Sequence, residues 1–264
     1  MEKISAVLLT RNEEKNIERC LQSIDWVDEI VIVDTGSTDR TLVLAERYTE
    51  RIVHGDISKG FAYNRNLGND SATHDWILKM EPDEVVPEAL RVEIREKIEA
   101  PDRADGYYAP RRNYFGPKWI RGCGWYPMPQ IRLFDKRKAR WKGIIHEWLE
   151  IQGRTASFQT DVIHYSYDDI QHYLRKFNLY TSFDGQRLKE EGLRITPWNM
   201  PSRFFLRPLF SFLKSYLFQR GWKDGFYGYA VSLFSAFYVL VKYMKLYEMQ
   251  NEENSNRPER LLDS

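Results

Sequence analysis

Four short apolar runs, each closing on a polar or acidic residue, set the rhythm of the first 84 residues. Residues 4–9 stop at Thr10-Arg11-Asn12, residues 29–33 at Asp34, residues 52–54 at Gly55, and residues 76–80 at Glu81-Pro82-Asp83-Glu84. Runs of this length suit buried strands, and the stretches between them repeat at helical spacing, as in Ile17, Cys20, Leu21 and Ile24. Strand and helix in alternation imply right-handed crossovers and a mostly parallel sheet, so the fold class is α/β. Thr10, Asp34, Glu81 and Asp83 then line one sheet edge, the edge at which open α/β sheets bind ligands.

Acids at such an edge can meet a hard cation or sugar hydroxyls. A solvated turn ahead of the next helix would carry the same residues. Asn12 is placed to cap the helix after the first strand. The Gly36-Ser37 turn either offers free N–H groups to a phosphate or simply closes on itself. No G-x-G-x-x-G follows the first strand and no G-x-x-x-x-G-K-[ST] occurs, which argues against dinucleotide and P-loop sites.

Thirty-nine basic against 38 acidic residues leave a net charge of +1, so no general nucleic-acid binder is indicated. Cys20 and Cys123 form no C-x-x-C and the histidines show no paired metal spacing, which suits a reducing cytoplasm. Residues 1–3 lead straight into a strand without the apolar core of a secretory signal.

The motifs 8–17 (LLTRNEEKNI), 32–41 (IVDTGSTDRT) and 64–67 (NRNL) resemble, in order and spacing, the family 2 glycosyltransferases of GT-A fold. Residues 111–116 (RRNYFG), 124–127 (GWYP), 130–134 (QIRLF), 146–147 (HE) and 164–167 (HYSY) resemble the bacterial lipopolysaccharide-core branch, which includes heptose β-1,4-glucosyltransferases. The resemblance spans residues 4–248. It implies a GT-A nucleotide-diphospho-sugar transferase fold in which Thr10, Asn12 and Asp34 meet the nucleotide of a UDP-sugar and Arg65 packs near its base. Glu81 stands where the family has the first acid of Asp-x-Asp, a ribose contact, and Asp83 stands at the second, the ligand of Mg²⁺ or Mn²⁺. Glu-Pro-Asp departs from the family's usual Asp-Ala-Asp. Glu81 adds a methylene, about 1.5 Å of reach, and Pro82 restricts how it adjusts.

Transfer of a sugar with inversion needs a base for the acceptor proton and a charge for the departing diphosphate. Glu147 falls where the family places its catalytic acid. Trp119, Trp125, Tyr126, Trp141 and Trp148 crowd the middle of the sequence, either as sugar-stacking faces or as a second core. Trp125, Tyr126, Gln130, Arg132 and His146 are the acceptor candidates; Arg132 could equally pair with a local acid, and His146 could be structural.

From residue 169 the chain turns helical and apolar. Residues 204–218 mix Phe, Leu and Tyr with Arg207 and Lys214, and residues 226–241 form a second apolar run. Three arrangements fit: a spanning helix, a buried helical subdomain, or an interfacial hairpin on the inner leaflet of the membrane. The interfacial hairpin is the expectation, giving a membrane-associating arm that meets a lipid-linked glycan on the cytoplasmic face of the bacterial inner membrane. The expected layout is therefore a catalytic domain at 1–168, divided into a donor half at 1–100 and an acceptor half at 101–168, an arm at 169–249 and a loose tail at 250–264. A catalytically weak nucleotide-sugar-binding protein at the membrane is the alternative function; a nucleotidyltransferase would need a Gly-rich loop after the first strand.

Overall fold

The computed structural model describes residues 1–143 and 147–255, which leaves the candidate His146 outside the described residues. The chain forms two compact units. The first is Met1–Asn113 with Tyr126–Ser166, and the second is Tyr114–Trp125 with the chain from Tyr167 onward. The units divide at 166/167, two residues before the expected boundary, and residues 114–125 belong with the C-terminal unit instead of the acceptor half.

In the first unit, β1 (Ile4–Thr10) is flanked by β2 (Glu29–Asp34) and β4 (Trp76–Met80), both parallel to it, and β3 (Ile52–His54) pairs parallel with β2. Beyond β4 the sheet turns antiparallel through β9 (Gln130–Asp135), which also pairs with β6 (Gly106–Ala109); β12 (Thr155–Ser157) closes that side. The order is β12-β6-β9-β4-β1-β2-β3. A second group of strands in this unit contains β5 (Glu84–Val85) and β13 (Val162–Tyr167), paired antiparallel, with β7 (Arg111–Phe115) beside β13. A short hairpin, β10 (Ala139–Lys142) with β11 (Trp148–Ile151), lies outside both.

Alternation along β1 explains why it is central. Ile4, Ala6 and Leu8 join a core with Ile17, Cys20 and Leu21 of α1 (Ile17–Ser23) and with Leu90, Ile94 and Ile98 of α4 (Glu88–Glu99). Val7 points the other way, into a core with Ala62 of α3 (Gly60–Ser71), Ile77 and Phe134. A strand covered on both faces is apolar along most of its length, here at every position from Ile4 to Leu9 but Ser5, which is why it reads as a run. α2 (Thr41–Ala45) is a short helix between β2 and β3.

Helix α3 approaches the sheet at Gly68. A methyl there would lie 2.6 Å from Val7 Cγ1 and 2.7 Å from Val33 Cγ2. Gly68→Ala is therefore expected to lose about 1–3 kcal/mol of stability by overpacking, seen as a lower urea midpoint; an unchanged midpoint would contradict this contact.

The second unit is built around Phe115, which stacks on Tyr173 at 5.6 Å and packs on Tyr167 and Tyr227. β7 runs into this unit and turns back as β8 (Lys118–Trp119). Three helical segments follow: α5 (Ile170–Glu190), α6 (Arg207–Leu213), flanked by wide turns at 202–206 and 214–218, and α7 (Gly225–Ser255). At 31 residues α7 is about 46 Å long and nearly twice the apolar run read from the sequence. It continues past residue 250, the expected start of the tail, because Gln250 is buried and its Oε1 accepts a hydrogen bond from the Ile195 backbone N–H at 3.0 Å. Polar contacts tie α7 to α5: Lys245 Nζ donates to Thr181 Oγ1 at 2.9 Å and Tyr238 to Asp184 at 3.1 Å.

Candidate active site

The parallel strands deliver their polar ends together, since Thr10 lies opposite Asp34 and Leu8 opposite Met80 in register. Thr10 and Asp34 are both buried, and Thr10 Oγ1 reaches Asp34 Oδ1 at 3.4 Å. Asp34 Oδ2 accepts from the backbone N–H groups of Gly36 and Ser37, each at 3.0 Å. The turn thus closes on its own carboxylate, and these two donors are committed to it. Asn12 does not cap α1. It adopts φ +55° and its Oδ1 accepts from Thr38 N at 2.7 Å, while its own N–H donates to Ser37 Oγ, clipping the β1–α1 loop to the β2–α2 loop.

Beyond β4 the acids diverge in role. Glu81 is surrounded by cations: Lys79 Nζ at 2.5 Å, Arg111 at 3.4 Å and Arg65 at 3.8 Å. Burial alone would push its carboxyl up, but Lys79, Arg132, Arg65 and Arg111 together hold it well below the usual carboxylate range. Glu84 is fully buried against Arg132, and its Oε2 accepts the Glu81 N–H at 3.0 Å, which fixes the turn. Arg132 is 1% exposed, so the structure removes it from the acceptor candidates: it is the internal partner of an acid beneath the loop.

Asp83 is placed by β13. Tyr165 N–H donates to the Asp83 carbonyl at 2.9 Å, and His164 lies opposite Glu84 in register, so His164 Nε2 comes within 3.2 Å of Asp83 Oδ2. Ligand atoms of Glu81, Asp83 and His164 all fall within 4.8 Å of one another. Glu81 is held by its cations, while Asp83 and His164 offer a carboxylate and an imidazole side by side. His164 Nδ1 is 2.6 Å from Asn113 Oδ1, an atom that only accepts, so Nδ1 carries a hydrogen. With that hydrogen on Nδ1, it is Nε2 that faces the Asp83 carboxylate, where it can offer a lone pair. A proton or a cation can bridge the two atoms, and an N,O pair of this kind suits a divalent metal.

Glu147 joins the same neighbourhood through Arg65, whose Nε donates to Glu147 Oε1 at 2.9 Å. The Arg65 guanidinium also lies over the Trp141 ring at 4.9 Å. Arg65 therefore spans Glu81 and Glu147, bringing the candidate base to the acidic loop.

The aromatic crowd in the sequence does not form one surface. Trp125 packs in the second unit, 5.8 Å from Tyr167 and 6.4 Å from Phe115, as part of its aromatic core. Tyr126 donates to Asp161 Oδ1 at 3.1 Å, and Gln130 is half-buried at the start of β9. Trp141 is buried and only Trp148 is largely exposed, at 56%. Sequence reasoning gave His164, Asn113, Lys79 and Arg111 no role. The signal for His164 was present: along β13 the burial alternates, and the inward positions after Val162 are His164 and Ser166, polar residues where an ordinary strand is apolar.

The sequence model for Glycosyl transferase family 2 matches residues 5–148, more than half of the chain. The chain belongs to glycosyl transferase family 2. This family 2 glycosyltransferase is 26% identical over 258 residues to the lipopolysaccharide core biosynthesis glycosyltransferase LpsC of Rhizobium meliloti, covering 93% of this chain and 92% of that protein. An uncharacterized glycosyltransferase of Rickettsia felis is also 26% identical, with 94% and 90% covered. Among solved structures, glucosyl-3-phosphoglycerate synthase of Mycobacterium tuberculosis in complex with Mg²⁺ and UDP aligns over 42% of this chain and 44% of that one at 25% identity and a TM-score of 0.36.

Proposed function

We propose that this glycosyltransferase inverts the anomeric centre as it moves glucose from UDP-glucose to a heptose of a lipid-linked glycan, as in lipopolysaccharide core assembly. The observation that carries the catalytic part is the convergence of Asp83, His164 and the Arg65–Glu147 pair on one acidic loop. The acceptor class rests on the relative from Rhizobium meliloti, which matches nearly the whole chain.

Glu147 takes the acceptor hydroxyl proton while that oxygen bonds to the anomeric carbon and the bond to the diphosphate oxygen breaks. Arg65 engages Glu147 through Oε1, which is compatible with proton acceptance at Oε2. Asp83 and His164 would hold Mg²⁺ or Mn²⁺, and the cation would neutralise the leaving diphosphate. Thr10 and Asp34 shape the floor under the nucleotide. Glu81, clamped by three cations, sets the electrostatic balance of the loop.

Titration calorimetry with UDP-glucose, in Mn²⁺ and in EDTA, tests the donor site. Binding is expected only with the metal, and Asp83→Ala should weaken it by about a factor of 100. Equal binding in EDTA would favour the alternative, a nucleotide-sugar-binding protein that does not depend on a cation for its ligand.

The second unit supports a peripheral place on the inner leaflet. Residues 192–223 carry Arg194, Arg203, Arg207, Lys214, Arg220 and Lys223 with no Asp or Glu. Beside these cations Trp198, Phe205, Phe210 and Phe218 are 95, 71, 63 and 77% exposed. Basic residues at anionic headgroups contribute about 1 kcal/mol each, and exposed aromatics suit the interface. The helical stretch Gly221–Glu252 is also long enough to cross a bilayer, and an 18-residue window within it has a mean hydropathy of 1.2. Lys245 and Tyr238 tie this helix to α5, and the in-plane arrangement is the one we propose. The protein is expected to sediment with phosphatidylglycerol vesicles, and Phe205→Ser with Phe210→Ser should reduce the bound fraction several-fold. Unchanged sedimentation of the double variant would reject this face.

A further inference from the structure

We propose that Asn113 is a positioning residue for the cation site: its Oδ1 fixes the tautomer of His164, aims the Nε2 lone pair at Asp83 and so makes the site a mixed nitrogen and oxygen one that prefers Mn²⁺ to Mg²⁺. This rests on the cation-dependent reading above and adds the residue that selects the metal.

The placement follows from strand geometry. Asn113 is at an inward position of β7, 2% exposed, and His164 and Ser166 occupy successive inward positions of β13. Asn113 Oδ1 lies 2.6 Å from His164 Nδ1 and 3.4 Å from Ser166 Oγ, and Ser166 Oγ lies 2.8 Å from the same Nδ1. The orientation of the amide is set from its other end, where Asn113 Nδ2 donates to the Arg111 carbonyl at 3.4 Å. With Oδ1 toward the ring, the hydrogen belongs on Nδ1, and Ser166 can donate to Asn113 while its lone pairs face Nδ1–H. The opposite tautomer would set the Nδ1 lone pair against the Asn113 oxygen and place a hydrogen on Nε2, where it would bond to Asp83 and occupy the ligand position.

A histidine ligand is oriented by the partner of its other nitrogen, and loss of that partner typically costs 10–100-fold in metal affinity. Mg²⁺ demands oxygen ligands in a regular octahedron and keeps its waters, whereas imidazole suits softer first-row ions. The tautomer lock thus bears on which ion is held as well as on how tightly.

Because Ser166 could accept from Nδ1 if Asn113 were lost, the test removes both acceptors in Asn113→Leu/Ser166→Ala and restores one in Asn113→Asp. Mn²⁺ affinity is read from the electron paramagnetic resonance signal of the free ion, and competition by Mg²⁺ gives the preference. The tautomer is read from ¹⁵N shifts of the histidine ring, assigned with His164→Gln, and melting temperatures report on folding. The double variant is expected to bind Mn²⁺ about 10–100-fold more weakly and to lose its preference over Mg²⁺, with Asn113→Asp close to wild type. Wild-type Mn²⁺ affinity in a folded double variant would overturn the proposal, as would an Nε2–H tautomer in the metal-free wild type. Failure of the wild type to bind any divalent ion would instead overturn the cation-dependent reading beneath it. A double variant that does not fold leaves the ring tautomer of the wild type and the Mn²⁺ affinity of Asn113→Asp to decide.

Discussion

Replacement of Glu147 by glutamine is expected to lower kcat by roughly 10²–10⁴-fold while leaving the KM for the sugar nucleotide nearly unchanged. Glutamine keeps the size of the side chain and can still accept a hydrogen bond from Arg65, which holds Glu147 Oε1 at 2.9 Å, but it cannot take a proton. Loss of a base acts on turnover, whereas loss of Asp83 acts first on the donor complex. Steady-state kinetics with a heptose-bearing lipid acceptor separate the two. A Glu147→Gln enzyme with wild-type kcat would require another base. A rise in donor KM without a fall in kcat would make Glu147 a binding residue for the nucleotide side of the reaction.

The second large effect is on stability. Glu84→Gln leaves Arg132, 1% exposed, without its counter-charge, and breaking a buried pair by removing one partner costs about 3–5 kcal/mol. For a protein of this size that corresponds to a fall in melting temperature of about 10 °C. Replacing both partners, Glu84→Leu with Arg132→Met, should recover most of the loss, because packed apolar groups carry no desolvation penalty. Even so, the double variant is expected to bind the cation less well, since Glu84 also accepts the Glu81 N–H and shapes the turn that presents Asp83. A melting temperature within a degree of wild type for Glu84→Gln would show that Arg132 finds another acid, Glu81 being the nearest alternative.

β1, β2 and β4 were legible because they are buried on both faces and read as apolar runs interrupted only at Ser5 and Lys79, whereas β3 is short and part-buried. Their ends placed Thr10, Asp34 and the acids at 81 and 83 on one edge before any coordinates were needed. The antiparallel strands hid for the opposite reason. β9 carries Arg132 into the core and β13 carries His164 and Ser166 inward, so polar residues that look solvent-facing in the sequence are buried. The division of the aromatics could not be read either. Trp125 sits one residue from Tyr126, yet the two belong to different compact units, and nothing in local composition marks where a chain leaves one core for another. Likewise the sequence showed that Glu81 departs from the family pattern but not that Lys79, Arg65 and Arg111 close around it.

The pairing of His164 with the acidic loop has a consequence for biosynthesis. The region that defines the family ends at residue 148, and the imidazole facing Asp83 arrives sixteen residues later, on the last strand of the first unit. On the cation-dependent reading proposed above, a polypeptide ending at residue 148 would therefore lack the imidazole of its cation pair. At ordinary rates of synthesis the missing strand follows within about a few seconds. On that reading the strand that carries His164 is needed before the chain can turn over a sugar nucleotide, and catalytic competence would report that translation has passed the end of the first unit.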